Sequence, residues 1–228
     1  MQFNLRTVAM ATGFAILIAT IAISCRQHKM DDRKMTEKNI NYPAAYIVNG
    51  ESNTLSVIKL QTNTLTDTIE LMGPGADMPM WPHHIYQQQQ RLAVGVPGMD
   101  LSEGHAGGMA GMKGKVLVLD ALKGTVVKDL ELPAMNHNAT FSPNGLELWT
   151  SQMETSGKVL VYDASSWQLK NTINVGKQPA EVTFSADGLT AYVTNQMAAS
   201  VSVVDVKNHA VIKNIAVGKK PNGIVIRQ

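Results

Sequence analysis

The stretch Thr190 to Pro221, TAYVTNQMAASVSVVDVKNHAVIKNIAVGKKP, constrains this chain more than any other. AYVTN alternates in the manner of a strand. VSVVD is a second run of β-branched residues, and AVIKNIAV is a third, with turn-rich gaps between them. PAEVTFSADG precedes them and reads as a strand closed by an Asp187-Gly188 turn. Four short strands in a row have the size of one propeller blade. The same unit recurs upstream. Blade one is AAYIVNG, TLSVIKL and TLTDTIEL, starting at Ala44, with no innermost strand of its own. Blade two is PHHIYQ, RLAVGV, KVLVLD and TVVKDLEL. Blade three is HNATFSPNG, LELWTSQ, KVLVYD and WQLKNTINV. PNGIVIRQ, at residues 221–228, matches an innermost strand alone, and is expected to complete blade one and close the ring.

The residues Tyr192-Val193-Thr194-Asn195, with Pro179 before the first strand and Ser185-Ala186-Asp187-Gly188 after it, resemble the YVTN family of β-propeller repeats. The resemblance runs over residues 44–228. It implies an all-β propeller of four-stranded blades. The strand count gives about four blades, fewer than YVTN proteins usually have: a closed four-bladed ring is expected, with half of a larger ring built by two chains, or a truncated gene, as the alternatives. The resemblance says little about function, because the family is defined by its scaffold.

The N-terminus reads as an export signal. Arg6 precedes a nearly continuous apolar run from Val8 to Ile23, short for a membrane span. The run ends at Ala22-Ile23-Ser24-Cys25, and Cys25 is the single cysteine. This arrangement resembles a bacterial lipoprotein signal. It implies a signal peptide over 1–24, lipidation of Cys25, a polar tether over 25–43, and a propeller anchored at a membrane outside the cytoplasm, on the periplasmic or outer-membrane side. An ordinary signal peptide or uncleaved anchor is the alternative. With one cysteine, disulfides and thiol catalysis are excluded from the folded domain, and so is covalently attached haem. The net charge of +2 and the lack of a basic run interleaved with aromatics argue against nucleic acid as a partner.

The strand order sorts the loops onto two faces. One is bland. The other, holding the links between blades and the loops between second and third strands, gathers every methionine outside the signal and tether. It also takes His83, His84, His105 and His137. Aligning the innermost strands puts His83, His137, Ala180 and Asn222 in one ring at the channel mouth, and His84, Asn138, Glu181 and Gly223 in the next. Thioether and imidazole together suit copper: Met is a soft ligand for Cu(I), and imidazole serves both copper states. The segment from His105 to Met112 resembles Met/His-rich copper-binding segments of exported proteins.

The expected ligands are therefore His83, His84, His105 and His137, then Met109 and Met112, then Met153 and Met197, with Asn138 and Glu181 as polar groups at the mouth. Met as a plain gap-filler and His as a backbone partner are the structural alternatives. Two further functions stay open. One is a lactonase-like hydrolase with a divalent metal on oxygen ligands, drawing on Glu181, Asn138, Asp77, Asp100 or Glu103. The other is an envelope interaction scaffold without chemistry, whose apolar surface includes Met78, Met80, Trp81 and Met135. The chain is expected to be a monomer or a homodimer.

Overall fold

The computed structural model describes residues 36–72, 80–101 and 111–227. The expected signal peptide and Cys25, and the loop residues Asp77, Met78, Glu103, His105 and Met109, lie outside the described residues. Fifteen strands and no helix occur among the described residues, arranged as four antiparallel sheets in chain order. Blade one holds β1 (Ala44–Asn49), β2 (Thr54–Lys59) and β3 (Thr64–Glu70). Blade two holds β4 (His84–Gln88), β5 (Arg91–Val96), β6 (Lys115–Asp120) and β7 (Thr125–Glu131). Blade three holds β8 (Ala139–Phe141), β9 (Glu147–Gln152), β10 (Lys158–Asp163) and β11 (Leu169–Asn174). Blade four holds β12 (Pro179–Phe184), β13 (Thr190–Asn195), β14 (Ser200–Asp205) and β15 (Ala210–Ala216). This is the β-propeller architecture that the repeat predicts.

Residues of the repeat motif have a visible purpose in several blades. Asn49 and Asn195, which close their motifs, use Nδ2 to tie the end of the second strand to hydroxyls of the third. Asn49 reaches Thr54 and Ser56 at 2.9 Å, and Asn195 reaches Ser200 at 3.2 Å and Ser202 at 2.9 Å. Asp120, Asp163 and Asp205 cap the following turn by accepting backbone N–H bonds with a carboxylate oxygen. The turns after β8 and β12 close on Gly145 and Gly188, whose φ values of 72° and 70° favour glycine. Between third and fourth strands the register shifts at one equivalent place in every blade, after Val57, Val118, Val161 and Val203. A bulge repeated at this position adds local twist to each blade.

The core lies in the seams between neighbouring blades. Leu55, Val57 and Ile69 pack against Leu92, Val94, Leu117 and Leu119. Ala93, Val116 and Val118 meet Ala139, Leu148 and Leu160. Trp149, Val159 and Val161 meet Val182, Ala191 and Val204. Alternation along each strand sends one set of side chains to the preceding blade and the other to the following one, so both faces of a blade are apolar. Each seam also carries a polar pin: Tyr46 Oη donates to Ala121 O at 2.5 Å, Arg91 donates to Gly145 O at 2.8 Å, and His209 of blade four meets Glu147 of blade three at 3.1 Å.

One expectation is corrected. Residues 221–227 form no strand and do not complete blade one, which is three-stranded. The tail is held instead beside blade four, where Thr194 Oγ1 donates to Asn222 O at 2.7 Å and Gln196 Nε2 donates to Asn222 Oδ1 at 3.0 Å. These two bonds fix the tail at the end of the arc away from β1.

Candidate metal centre

The mouth ring forms where the innermost strands begin. The backbone N–H of His83 donates to Gly95 O at 2.9 Å, which fixes the residue just ahead of β4. His84 opens β4 opposite Gly95. On the next blade, Thr150 Oγ1 donates to Asn138 O at 2.7 Å, and Asn136 Nδ2 reaches Lys115 O at 3.2 Å and Thr150 Oγ1 at 3.3 Å. Gly95 decides how closely the two blades approach. A Cβ there would lie 3.1 Å from His137 O and 3.2 Å from Asn138 Cα. A glycine at this place lets the His137 segment press against β5.

Three imidazoles meet as a result. Ring centroids are 4.5 Å apart for His83 and His84, 5.1 Å for His83 and His137, and 4.5 Å for His84 and His137. One nitrogen from each lies within 4.8 Å of the others. The cluster grades from solvent to interior: His83 is exposed, His84 half-buried and His137 buried. Blade four adds Glu181, buried, with Oε2 3.8 Å from His137 Nδ1. Asn138 is a brace: its Nδ2 donates to Val182 O at 3.1 Å and its Oδ1 accepts from Val182 N at 3.3 Å, lashing blade three to β12 beside Glu181.

The electrostatics are unusual. Burial, then the neighbouring His83, pull the His84 imidazole down to about 4. Burial pushes the Glu181 carboxyl up to about 7. His84 Nε2 and Glu181 Oε2 are buried and make no hydrogen bond. A buried polar atom without a partner costs stability, and a cation on the imidazole nitrogens would relieve it. Metal–nitrogen bonds of about 2.0–2.1 Å place the nitrogens around one ion about 3–4 Å apart. The three nitrogens here lie within 4.8 Å of one another, close to that spacing. The donor set therefore fits a transition ion bound by three imidazole nitrogens.

The remaining expected ligands fall elsewhere or outside the described residues. Met135 and Met153 are buried with Leu101 in a small apolar cluster, and Met99 and Met112 pack against it. Met197 is exposed. A cleft of about 260 Å³ flanks His83, and its lining includes Val48, Trp81 and Pro82 and the acidic residues Glu51 and Asp100. Gly95, the spacer of the site, was not among the expected site residues. Its only signal is a lone glycine inside an otherwise apolar strand, RLAVGV.

No protein-family model matches the chain, and no curated protein matches it. Many solved structures do. One is Kuenenia stuttgartiensis hydrazine synthase, with a TM-score of 0.63 and 15% identity, covering 84% of this chain and 52% of that one. Another is a chain of the mitotic checkpoint complex, with a TM-score of 0.57 and 12% identity, covering 78% of this chain and 48% of that one. At such identities the likeness is one of fold. The chain spans about half the length of each of these two.

Proposed function

We propose that the protein is an exported, lipid-anchored propeller of the YVTN type that binds a transition metal, copper first, at its channel mouth. It would handle copper or serve a redox partner in the cell envelope. The observation that carries the metal reading is the convergence of His83, His84 and His137 from adjoining blades, with one nitrogen buried and unpartnered. Imidazole nitrogens suit copper and zinc and suit magnesium or calcium poorly. Copper is placed first because the same face collects methionines, and because an extracytoplasmic site with no thiol leaves imidazole and thioether to do the binding. His84 stays neutral down to about pH 4, so protons do not compete for its nitrogen at neutral pH.

The test is competition against a chromogenic chelator for Cu(I), Cu(II) and Zn(II), with the wild type and the His83→Ala/His137→Ala variant. Tight binding lost in the variant supports the reading. Equal and weak binding by both removes it. The export and anchor are tested separately: Cys25→Ser should release the protein from the membrane fraction, and full retention would contradict lipidation.

A second reading is a metal-dependent hydrolase. Glu181 favours it, because a carboxyl held near neutral pH beside a three-histidine metal site has the properties of a general base. It predicts lactone or ester hydrolysis by the Zn(II)-loaded protein that falls sharply in Glu181→Gln while metal affinity is kept. Copper binding without such activity favours the first reading.

A further inference from the structure

The end of the propeller opposite the metal centre carries leucines that its turns do not need. Leu146 and Leu189 follow the glycine turns ahead of β9 and β13, and each is 65% exposed. Their backbone does the structural work: Leu146 O accepts from Ala164 N, and Leu189 O from Val206 N. Gln90 holds the same place in blade two, and its carbonyl accepts from Ala121 N in the same way. A polar side chain therefore serves this position equally well. Leu122, 40% exposed, lies in the turn between β6 and β7, where blades three and four have the exposed polar residues Ser165 and Lys207. Leu60, 50% exposed, follows β2 in blade one. A single exposed leucine is ordinary. Here each of the four blades contributes one at the same end.

The chain enters the propeller at this same end. Lys38 N donates to Lys123 O and Ile40 N to Leu122 O, both at 2.8 Å, and Pro43 O accepts from Leu60 N at 2.9 Å. Residues 38–43 thus run across the turns that carry Leu122 and Leu60, held there by Ile40, which is buried among core residues of blades one and two. Upstream, the apolar run from Val8 to Ile23 ends just before Cys25. The thirteen residues from there to Lys38 span at most about 45 Å. Further blades, of this polypeptide or another, would lengthen the arc around the axis and leave these turn ends uncovered.

We propose that this leucine-bearing end rests on the phospholipid bilayer to which the N-terminal segment attaches the protein. The proposal rests on the membrane attachment in the reading above, through a lipid on Cys25 or through an uncleaved apolar run, and not on the metal. The reach of the connecting residues would let either end of the propeller turn to the bilayer. They supply nearness, and the leucines choose the face. Nearness matters because a contact made within a tethered molecule works at a high effective concentration, so a few apolar side chains suffice. Lysines and carboxylates are mixed over this end, with Lys38 paired to Asp67 and Lys123 to Glu37, so the attraction is apolar rather than electrostatic. The contact is also shallow. The hydroxyls of Ser165 and Ser185 and the backbone N–H of Asn208 hold the carboxyls of Asp163, Asp187 and Asp205 below the usual carboxylate range. These groups stay ionised, and stay among the headgroups while the leucines reach the acyl chains. His83, His84 and His137 lie at the other ends of the strands, so the metal centre opens away from the bilayer, toward soluble partners.

The test uses the full chain reconstituted into phosphatidylcholine vesicles, with Leu146→Cys, Leu189→Cys or, at the mouth end, Met197→Cys carrying a thiol-linked fluorophore. The unsubstituted chain, labelled in parallel, supplies the background from Cys25. Lipids bearing a nitroxide at the top of the acyl chain should quench most of the emission at positions 146 and 189 and leave position 197 unchanged, and high salt should not alter this. A label at Leu60→Cys should lose its quenching when Leu146→Glu/Leu189→Glu is added, with the protein still on the vesicles. In vesicle-bound protein, equal quenching at all three positions, or none at 146 and 189, overturns the proposal while the attachment stands. So does quenching at Leu60→Cys that survives the two glutamates. Labels shielded in native membranes but unquenched in vesicles assign the face to a protein partner instead, and also overturn it. Protein that does not float with the vesicles removes the anchor reading, and this proposal with it.

Discussion

Two histidine–carboxylate clusters among the described residues are solved in opposite ways. At the seam between blades three and four, Glu147 is fully engaged. It accepts from Lys170 Nζ at 2.6 Å, from Trp149 Nε1 at 2.9 Å and from His209 Nε2 at 3.1 Å. Asn171 Nδ2 donates to His209 Nδ1 at 3.3 Å, which makes Nε2 the protonated nitrogen. Burial pushes the Glu147 carboxyl up, but the bonds from Lys170, His209 and Trp149 outweigh it and hold the group below its usual value. At the mouth, Glu181 has no such donors, and burial alone carries it to about 7. His84 is driven the other way, to about 4, with a buried nitrogen left unpaired. The first cluster completes its own hydrogen bonds and serves as a pin. The second is left open at a cost in stability, the mark of a site shaped for something else.

The contrast breaks most sharply under substitution. His83→Ala/His137→Ala should lower metal affinity by more than about 100-fold, since loss of even outer partners of a ligand costs about 10–100-fold. His209→Ala should leave affinity unchanged in the same titration. Stability should respond in reverse. Glu147→Ala strands Trp149 Nε1 and the His209 ring, and should cost about 2–4 kcal/mol in urea unfolding, with metal binding intact.

A third effect appears in the pH dependence of the metal-free protein. Glu181 has a raised folded pKa, so its contribution is fully present below about pH 4.5 and is lost as pH rises through about 7. His84 has a lowered folded pKa, so its contribution is present above about pH 6.5 and is lost as pH falls through about 4. Between pH 4.5 and 6.5 the two slopes oppose each other, and their sum is nearly flat. Glu181→Gln should expose a rise in stability over this range, and His84→Asn a fall, each of at most about 3.4 kcal/mol over its full window, and less with solvent screening. Parallel curves for wild type and both variants would contradict the assignment. The smallest effect is expected at the methionines. Met112→Leu and Met153→Leu keep the volume of an apolar cluster, and should cost less than about 1.5 kcal/mol. Their Cu(II) affinity should match wild type, and a tenfold loss of Cu(I) affinity would make them ligands after all.

Much of this was legible in the residues, because a propeller writes its fold four times. The strands, the Asp-capped turns and the convergence of His83 and His137 on one ring all follow from aligning the repeats. The closing strand did not follow. PNGIVIRQ has the right pattern for an innermost strand, but pattern does not say whose blade it completes, and the two bonds at Asn222 keep it beside blade four. Met153 shows another limit. Its place on the mouth side is a matter of strand order, whereas its burial against Leu101 and Met135 is a matter of packing between residues far apart in the chain, which strand order does not set. Gly95 was invisible for a third reason: what matters there is the absence of a side chain, felt only by the neighbouring blade.

The most direct test of the mouth as a metal centre is the ligand count on a bound ion. Electron paramagnetic resonance of the Cu(II)-loaded protein reports the nitrogens attached to copper. Three imidazole nitrogens in the wild type, unchanged in His209→Ala and reduced to one in His83→Ala/His137→Ala, is the predicted result. A spectrum that does not change between wild type and the double variant would place the copper elsewhere and leave the mouth cluster without its metal.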